Sequence, residues 1–196
     1  LFKNINTDSK NSKNYKESLD TKIATLVEYN SSYPLKKKTN NYLNILKPII
    51  SVRYSPNNSK NARNDDRRID ANNIFSLNRI GSNDSVEGGG SLSFGTEFIK
   101  TDFSNKEVFS AKIANVFKLK EDQKLPANSS LGKKTSDIMG YFNFNPNNFF
   151  NINYEFSQDD NLKDVNYQSL KNEFKINNFV TTFEYLNQNN STNKES

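Results

Sequence analysis

The sequence predicts an all-β chain, an antiparallel meander of amphipathic strands, and three observations carry that expectation. Apolar and polar residues alternate with period two over one segment after another. Short clusters of Asn, Asp, Ser, Gly and Pro separate those segments. There is no hydrophobic run near 18 residues, and no amphipathic helix of useful length interrupts the series.

The elements follow in order. Residues 1–20 are rich in Asn, Lys and Ser and are expected to form a loop or disordered segment. Ile23 to Tyr29, Tyr42 to Tyr54 and Ile69 to Ile80 are strand candidates, with Pro48 marking a bulge, an edge or irregular pairing in the second. In Val86 to Lys100, Leu92, Phe94, Thr96 and Phe98 take one face, and Ser91, Ser93, Gly95 and Glu97 the other. Phe109, Ala111, Ile113, Phe117 and Leu119 then alternate with Ser110, Lys112, Ala114 and Lys118, while Asn115 and Val116 are out of phase.

Ile138, Gly140, Phe142 and Phe144 continue the pattern, and Phe150, Ile152, Tyr154 and Phe156 follow after the turn Asn145 to Asn148. These two segments are expected to form a hairpin, because Pro146 and its Asn neighbours favour a turn. After another turn over 158–164, Leu170, Phe174 and Ile176 alternate with Lys171, Glu173 and Lys175. Phe179, Thr181, Phe183 and Tyr185 close the series, and residues 189–196 read as a loop or tail. The count is about nine strands over residues 21–188, in one domain.

Two architectures share this alternation. Several segments have about 9–11 residues, the length of a strand crossing a bilayer in a closed sheet. Such a chain, if only part of a barrel, would form an open, curved sheet with two unpaired edges. A soluble β-sandwich would turn the same apolar faces inward, against a second sheet.

Composition narrows the chemistry. The chain of 196 residues has no Cys and no His, which removes disulfides, thiolate and imidazole metal sites, cysteine nucleophiles and Ser-His-Asp triads. A net charge of +5 raises the nucleic-acid question. The basic residues are scattered, however, with short runs such as Lys36 to Lys38 and Arg67 with Arg68, the latter preceded by Asp65 and Asp66. No nucleic-acid partner is expected.

Gly88, Gly89 and Gly90 lack the Lys-Ser/Thr pair of a phosphate loop and sit in a strand pattern, so a tight approach to the strand is expected instead. Asp65, Asp66 and Asp70 with Arg67 and Arg68 read as a self-compensating rim. Asp159, Asp160 and Asp164 lack the Gly and terminal Glu of a calcium loop and fit a turn. Glu97, Glu155, Glu173 and Glu184 share the polar face, but nothing pairs any two for glycosidase chemistry. The chain is expected not to be an enzyme, with no catalytic residue, metal or cofactor.

Three stretches carry a resemblance: Tyr42 to Asn57, Asp65 to Phe98 and Leu125 to Phe174. Together they resemble the C-terminal barrel domain of the LPS-assembly proteins, the LptD (OstA, organic solvent tolerance) family, in its Asn-rich alphaproteobacterial type. The matching residues are Pro48, Tyr54 and Pro56, an Asp at Asp65 or Asp66, then Phe75, Asn78, Arg79, Gly81 and Asp84. Gly90, Leu92, Phe94 and Gly95 complete the pattern, with Phe94 in place of the family's usual Tyr. The family's signal peptide, periplasmic jelly roll and roughly twenty-six strands are not matched, and the chain begins with Leu1, so an internal fragment of the barrel is expected.

The resemblance implies a non-catalytic outer-membrane translocon component that inserts lipopolysaccharide into the outer leaflet. Its implied partners are lipopolysaccharide itself, a plug lipoprotein of the LptE type, a periplasmic bridge protein of the LptA type and the outer membrane. A generic porin-type barrel for small solutes, or a soluble adhesion or interaction module, are the alternatives.

In a barrel, Leu92, Phe94, Phe98, Phe142, Phe144, Ile152, Tyr154 and Phe156 would face lipid, and Lys112, Lys118, Lys171 and Lys175 would face the lumen. A charge at Phe94 or Ile152 is then expected to be costly, and one at Ser93 or Asn153 mild.

Overall fold

The computed structural model describes residues 2–7, 20–79, 81 and 86–189. Among them, β1 (Phe2–Thr7) and β2 (Asp20–Thr25) form a two-stranded sheet. The nine remaining strands form one antiparallel sheet: β3 (Val27–Ser32), β4 (Leu35–Lys38), β5 (Tyr42–Ser55), β6 (Gly89–Asp102), β7 (Glu107–Lys118), β8 (Ile138–Phe144), β9 (Phe150–Gln158), β10 (Val165–Ile176) and β11 (Phe179–Gln188). From β5 to β11 every strand pairs with its neighbour in sequence, and β3 and β4 share the far side of β5. The sheet is open, with β11 at one edge and β3 with β4 at the other. The β8–β9 hairpin turns over residues 145–149, and Phe144 lies opposite Ile152. No helix among the described residues is long and apolar enough to cross a membrane, which bears on helices alone.

The N-terminal half departs from the sequence reading in several places. Residues 2–7 do not belong to an irregular segment but pair with β2 from Phe2↔Thr25 to Thr7↔Asp20, because a ladder is made by backbone groups that a polar composition does not remove. Residues 8–19 and 190–196 lie outside the described residues. Ile23 to Tyr29 is divided at Leu26 between two sheets. β4 was hidden by its lysines. Charge on a short edge strand guards against unwanted pairing and erases the alternation that would reveal it.

Ile69 to Ile80 is not a strand. The Asp70 carboxylate accepts hydrogen bonds from the amides of Asn72 (2.7 Å) and Asn73 (2.8 Å), which turns the chain where a ladder would have run straight. Ile80 itself lies outside the described residues. Ile69, Ala71 and Ile74 are buried in a small core.

Register sorts the side chains. Residues opposite one another share a face, so Val52, Leu92 and Phe117 lie on one side and Arg53, Ser91 and Lys118 on the other. We name the second face inner, because residues 56–79 and 119–137 fold over it. Burial along β5 and β6 is inverted relative to a soluble sheet: Ser51 and Ser93 are 1% and 0% exposed, whereas Val52 and Phe94 are 50% and 44% exposed. Leu92, Phe94, Phe98, Phe142, Phe144, Ile152, Tyr154 and Phe156 all share the outer face, and Lys112, Lys118, Lys171 and Lys175 all share the inner one.

Aromatic pairs knit the outer face across strands, among them Phe94–Phe117 (5.5 Å), Phe142–Tyr154 (5.4 Å) and Phe150–Phe174 (4.9 Å). The out-of-phase pair has a local cause. Beyond Ala114↔Met139 the β7–β8 ladder lapses, and the Asn115 amide donates to the carbonyls of Ser136 (2.7 Å) and Asp137 (3.1 Å). Val116, facing inward, is fully buried in the core.

Gly95 marks a close approach between β6 and β7, where an added Cβ would sit 2.6 Å from the Ile113 carbonyl oxygen and 2.8 Å from the Ala114 Cβ. Gly95→Ala is therefore expected to destabilise the sheet by about 1–3 kcal/mol through overpacking, read as a lower denaturant midpoint for the full-length protein.

Candidate functional site

The long connection between β5 and β6 builds the site. Residues 56–79 and 119–137 are tied together by Ala62 N–H to the Lys124 carbonyl (2.7 Å), Ala127 N–H to the Arg63 carbonyl (2.9 Å) and the Ser59 hydroxyl to the Asp122 carboxylate (2.5 Å). Ile69, Ala71 and Ile74 from the first loop and Leu125 and Leu131 from the second pack on Ala114, Val116 and Met139 of the wall. Gly88 has room for no Cβ, because the Asn57 carbonyl fills that position. Close approach, not phosphate binding, accounts for its place in the glycine run.

Beneath the loop lies a cluster of buried charges. Arg79 donates from Nε to Glu87 Oε2 (3.0 Å) and from Nη2 to Glu87 Oε1 (2.8 Å). Nη1 and Nη2 also donate to the hydroxyls of Ser93 (2.8 Å) and Ser91 (2.8 Å). Lys118 Nζ adds a third bond to Glu87 at 3.0 Å. Arg53 stands 3.7 Å from Glu87 and donates to the carbonyls of Ser76 (2.7 Å) and Leu77 (3.1 Å). Glu28 sits 3.8 Å from Arg53 and accepts the Ser51 hydroxyl at 2.8 Å.

All five charged side chains are buried. Burial alone would push the Glu87 carboxyl up, but the charges of Arg79, Lys118 and Arg53 together with the Arg79 hydrogen bond outweigh it and hold the group at about 2.

The matched motif residues are spread over both faces of the sheet and the loop. Pro48 and Tyr54 lie on the outer face of β5, opposite Thr96 and Gly90. Pro56 opens the loop and Phe75 lies under the Lys112 ammonium at 5.3 Å. The Asn78 carbonyl accepts the Gly81 amide at 3.1 Å, and the Gly81 carbonyl accepts the Arg67 guanidinium. Gly90 accepts the Leu119 amide at 3.0 Å, while Leu92 and Phe94 stand on the outer face and Gly95 on the inner. Asp84 lies outside the described residues.

The inner lysines are all engaged. Lys118 belongs to the cluster, Lys112 covers Phe75, Lys171 pairs with Glu184 (2.6 Å) and Lys175 with Glu173 (2.7 Å). The four carboxylates considered for paired acid chemistry each meet a different donor: Glu97 meets Lys47 (2.5 Å), Glu155 meets Asn72 (3.3 Å), and Glu173 and Glu184 meet the lysines just named. Among the described residues no group of three His, Cys, Asp or Glu side chains could hold a metal ion.

Ser93 corrects an expectation. A hydrated position would accept a charge mildly, but Ser93 is fully buried and holds Arg79, so a charge there would disrupt the cluster.

Sequence reasoning singled out Arg79 as a motif residue and Lys118 as a wall residue without joining them. It missed Glu28, Arg53, Glu87 and Asp137, whose carboxylate accepts from Ser157 (2.9 Å) and Asn166 (2.8 Å). The available signal was the row Ser51, Arg53 and Ser55, small or cationic residues in phase where a strand interior would carry aliphatics.

Removing one partner of the cluster, as in Glu87→Gln, is expected to cost about 3–5 kcal/mol by stranding buried cations. Because Glu87 titrates below the ordinary carboxyl value of 4.5, its contribution is present above that pH and fades as pH falls toward about 2. Unfolding of the full-length protein followed from pH 7 downward checks this, with the Glu87→Gln variant showing a flatter profile over that window.

A family model described as LptD, LPS transport system D, matches residues 3–196. No curated protein matches the chain. With an all-β antiparallel sheet, an inverted burial pattern and a family match over nearly its whole length, the chain belongs to the LptD family of lipopolysaccharide transport proteins.

Proposed function

We propose that residues 21–188 form part of the wall of an outer-membrane β-barrel that inserts lipopolysaccharide into the outer leaflet without making or breaking a bond. The inverted burial of the sheet carries this reading. Val52, Phe94 and Phe117 stand exposed on the outer face, while Ser51, Arg53 and Ser93 are buried on the inner one. Water would penalise that arrangement, and hydrocarbon outside a polar interior favours it.

On this reading, Leu92, Phe94, Phe98, Phe142, Phe144, Ile152, Tyr154 and Phe156 face acyl chains. Backbone groups from β5 to β10 are satisfied strand to strand, as a bilayer demands. The polar inner face suits a hydrated saccharide. A plug lipoprotein of the LptE type and a periplasmic bridge of the LptA type would supply the rest of the route. Lys112, Lys118, Lys171 and Lys175 serve first as partners of wall groups, so a role in guiding phosphates would require breaking existing contacts.

Two outcomes follow. Depleting the full-length protein in its bacterium should leave lipopolysaccharide in inner compartments, measured by fractionation and surface labelling. Normal surface delivery after depletion would contradict the transport reading, and conduction of small solutes alone would favour a porin. Phe94→Lys or Val52→Lys should cost about 2–4 kcal/mol near the bilayer midplane, whereas Asn153→Lys on the inner face should cost about 1 or less, compared as folded fractions in denaturant titrations in vesicles.

A further inference from the structure

Residues 56–88 make a long connection for a hairpin. Its described stretch 56–79 crosses the inner face and, with Glu87, touches strands far apart in the order. Arg53 of β5 holds the Ser76 and Leu77 carbonyls, Ser91 and Ser93 of β6 hold Arg79, and Lys118 of β7 holds Glu87. Farther along, the Asn72 amide reaches Glu155 of β9 and the Arg68 guanidinium lies 3.1 Å over the Tyr167 ring of β10. The loop also buries Ala62, Ile69, Ala71, Ile74 and Val86, but these contacts carry no direction. The directional contacts that fix its position are those of the buried charges.

That charge is organised through Arg79. Its side chain is 0% exposed, and its fork spends two donors on the loop's own Glu87 and two on the wall serines. A planar fork with five donors can hold the carboxylate through two bonds and still reach both hydroxyls, one bond more than the three donors of a lysine allow. Withdrawing the loop would separate Glu87 from Lys118 and Arg53, so the contacts form or break as a set.

We propose that Arg79 is the positioning residue of a latch that holds residues 56–79 as a fixed plug on the inner face of the wall, a barrier built into the chain beside whatever partner fills the rest of the lumen. The latch also reports register. A slip of one residue in β6 or β7 would turn Ser91 and Ser93, or Lys118, to the outer face and leave Arg79 and Glu87 without their wall contacts. The plug thus seats only on correctly paired strands. This inference rests on the barrel reading above for its lumen.

The test uses the full-length protein, extracted in detergent and also kept in its bacterium, as wild type, Arg79→Ala and Arg79→Lys, with Asn61→Ala as a loop control outside the cluster. Folded barrel is measured by heat-dependent gel mobility, and loop opening by hydrogen exchange over residues 69–79. Entry of a large hydrophilic antibiotic reports the barrier in cells. For Arg79→Ala we expect an undiminished folded barrel, loop exchange roughly tenfold faster with β5–β7 still protected, and raised antibiotic entry. Arg79→Lys should recover part of each, and Asn61→Ala should match wild type.

Unchanged loop exchange in folded Arg79→Ala would overturn the proposal. So would equal loss of protection in β5–β7, which would make the cluster a support of the wall and not a latch. Should Arg79→Ala not fold, the double variant Ser91→Ala with Ser93→Ala removes only the wall side of the latch. Faster loop exchange in that variant upholds the proposal, and unchanged exchange overturns it. Surface lipopolysaccharide, measured in the same strains, separates failure of the latch from failure of the transport reading: a latch can fail this test while delivery still depends on the protein.

Discussion

Cross-strand register is the constraint on which everything else depends. In an antiparallel ladder opposite residues share a face, so one pairing scheme from β3 to β11 decides at once where every aromatic and every charge goes. Shifted by one residue, Arg53 would stand where Val52 or Tyr54 now stands, and Lys118 where Phe117 stands. The two faces of the sheet differ in chemistry because its register is single-valued.

The two faces are stabilised by different physics. On the outer face, rings from neighbouring strands meet at 4.9–5.5 Å in pairs such as Phe150–Phe174 and Phe94–Phe117, contacts that gain from dispersion in water or in lipid alike. On the inner face, Arg53, Arg79 and Lys118 answer Glu28 and Glu87 under a cover of loop. Buried ion pairs add little net stability when formed and cost much when half-broken. Their usefulness here is geometric, because they hold an irregular segment in one place where a slippery apolar contact would admit several.

Much of the C-terminal half was legible in the sequence. From β6 onward the period-two alternation placed the strands, and Pro146 with its Asn neighbours placed the β8–β9 turn. The N-terminal half was less legible for local reasons. Lys36, Lys37 and Lys38 conceal β4, and the Asp70 turn bends a run of Ile and Ala that periodicity reads as a strand. The charge cluster was the least legible feature. Glu28, Arg53, Arg79, Glu87 and Lys118 come from three strands and one loop, and their meeting depends on a loop folding back, which no local pattern encodes. The same folding back made Ser93 a buried partner of Arg79 where alternation alone implied a hydrated position.

The central claim is that the outer face lies in hydrocarbon and the inner face does not. It is tested most directly by placing single spin labels in turn at residues 170–175 of β10 in the full-length protein in lipid vesicles, since these 196 residues contain no Cys to compete for the label. Collision rates with oxygen, which concentrates in lipid, and with a water-soluble nickel chelate are then compared. The account predicts high oxygen access at Leu170, Asn172 and Phe174 and high chelate access at Lys171, Glu173 and Lys175, alternating residue by residue. Access that fails to alternate, or chelate access at Leu170 and Phe174 equal to that at Lys171 and Lys175, would contradict it.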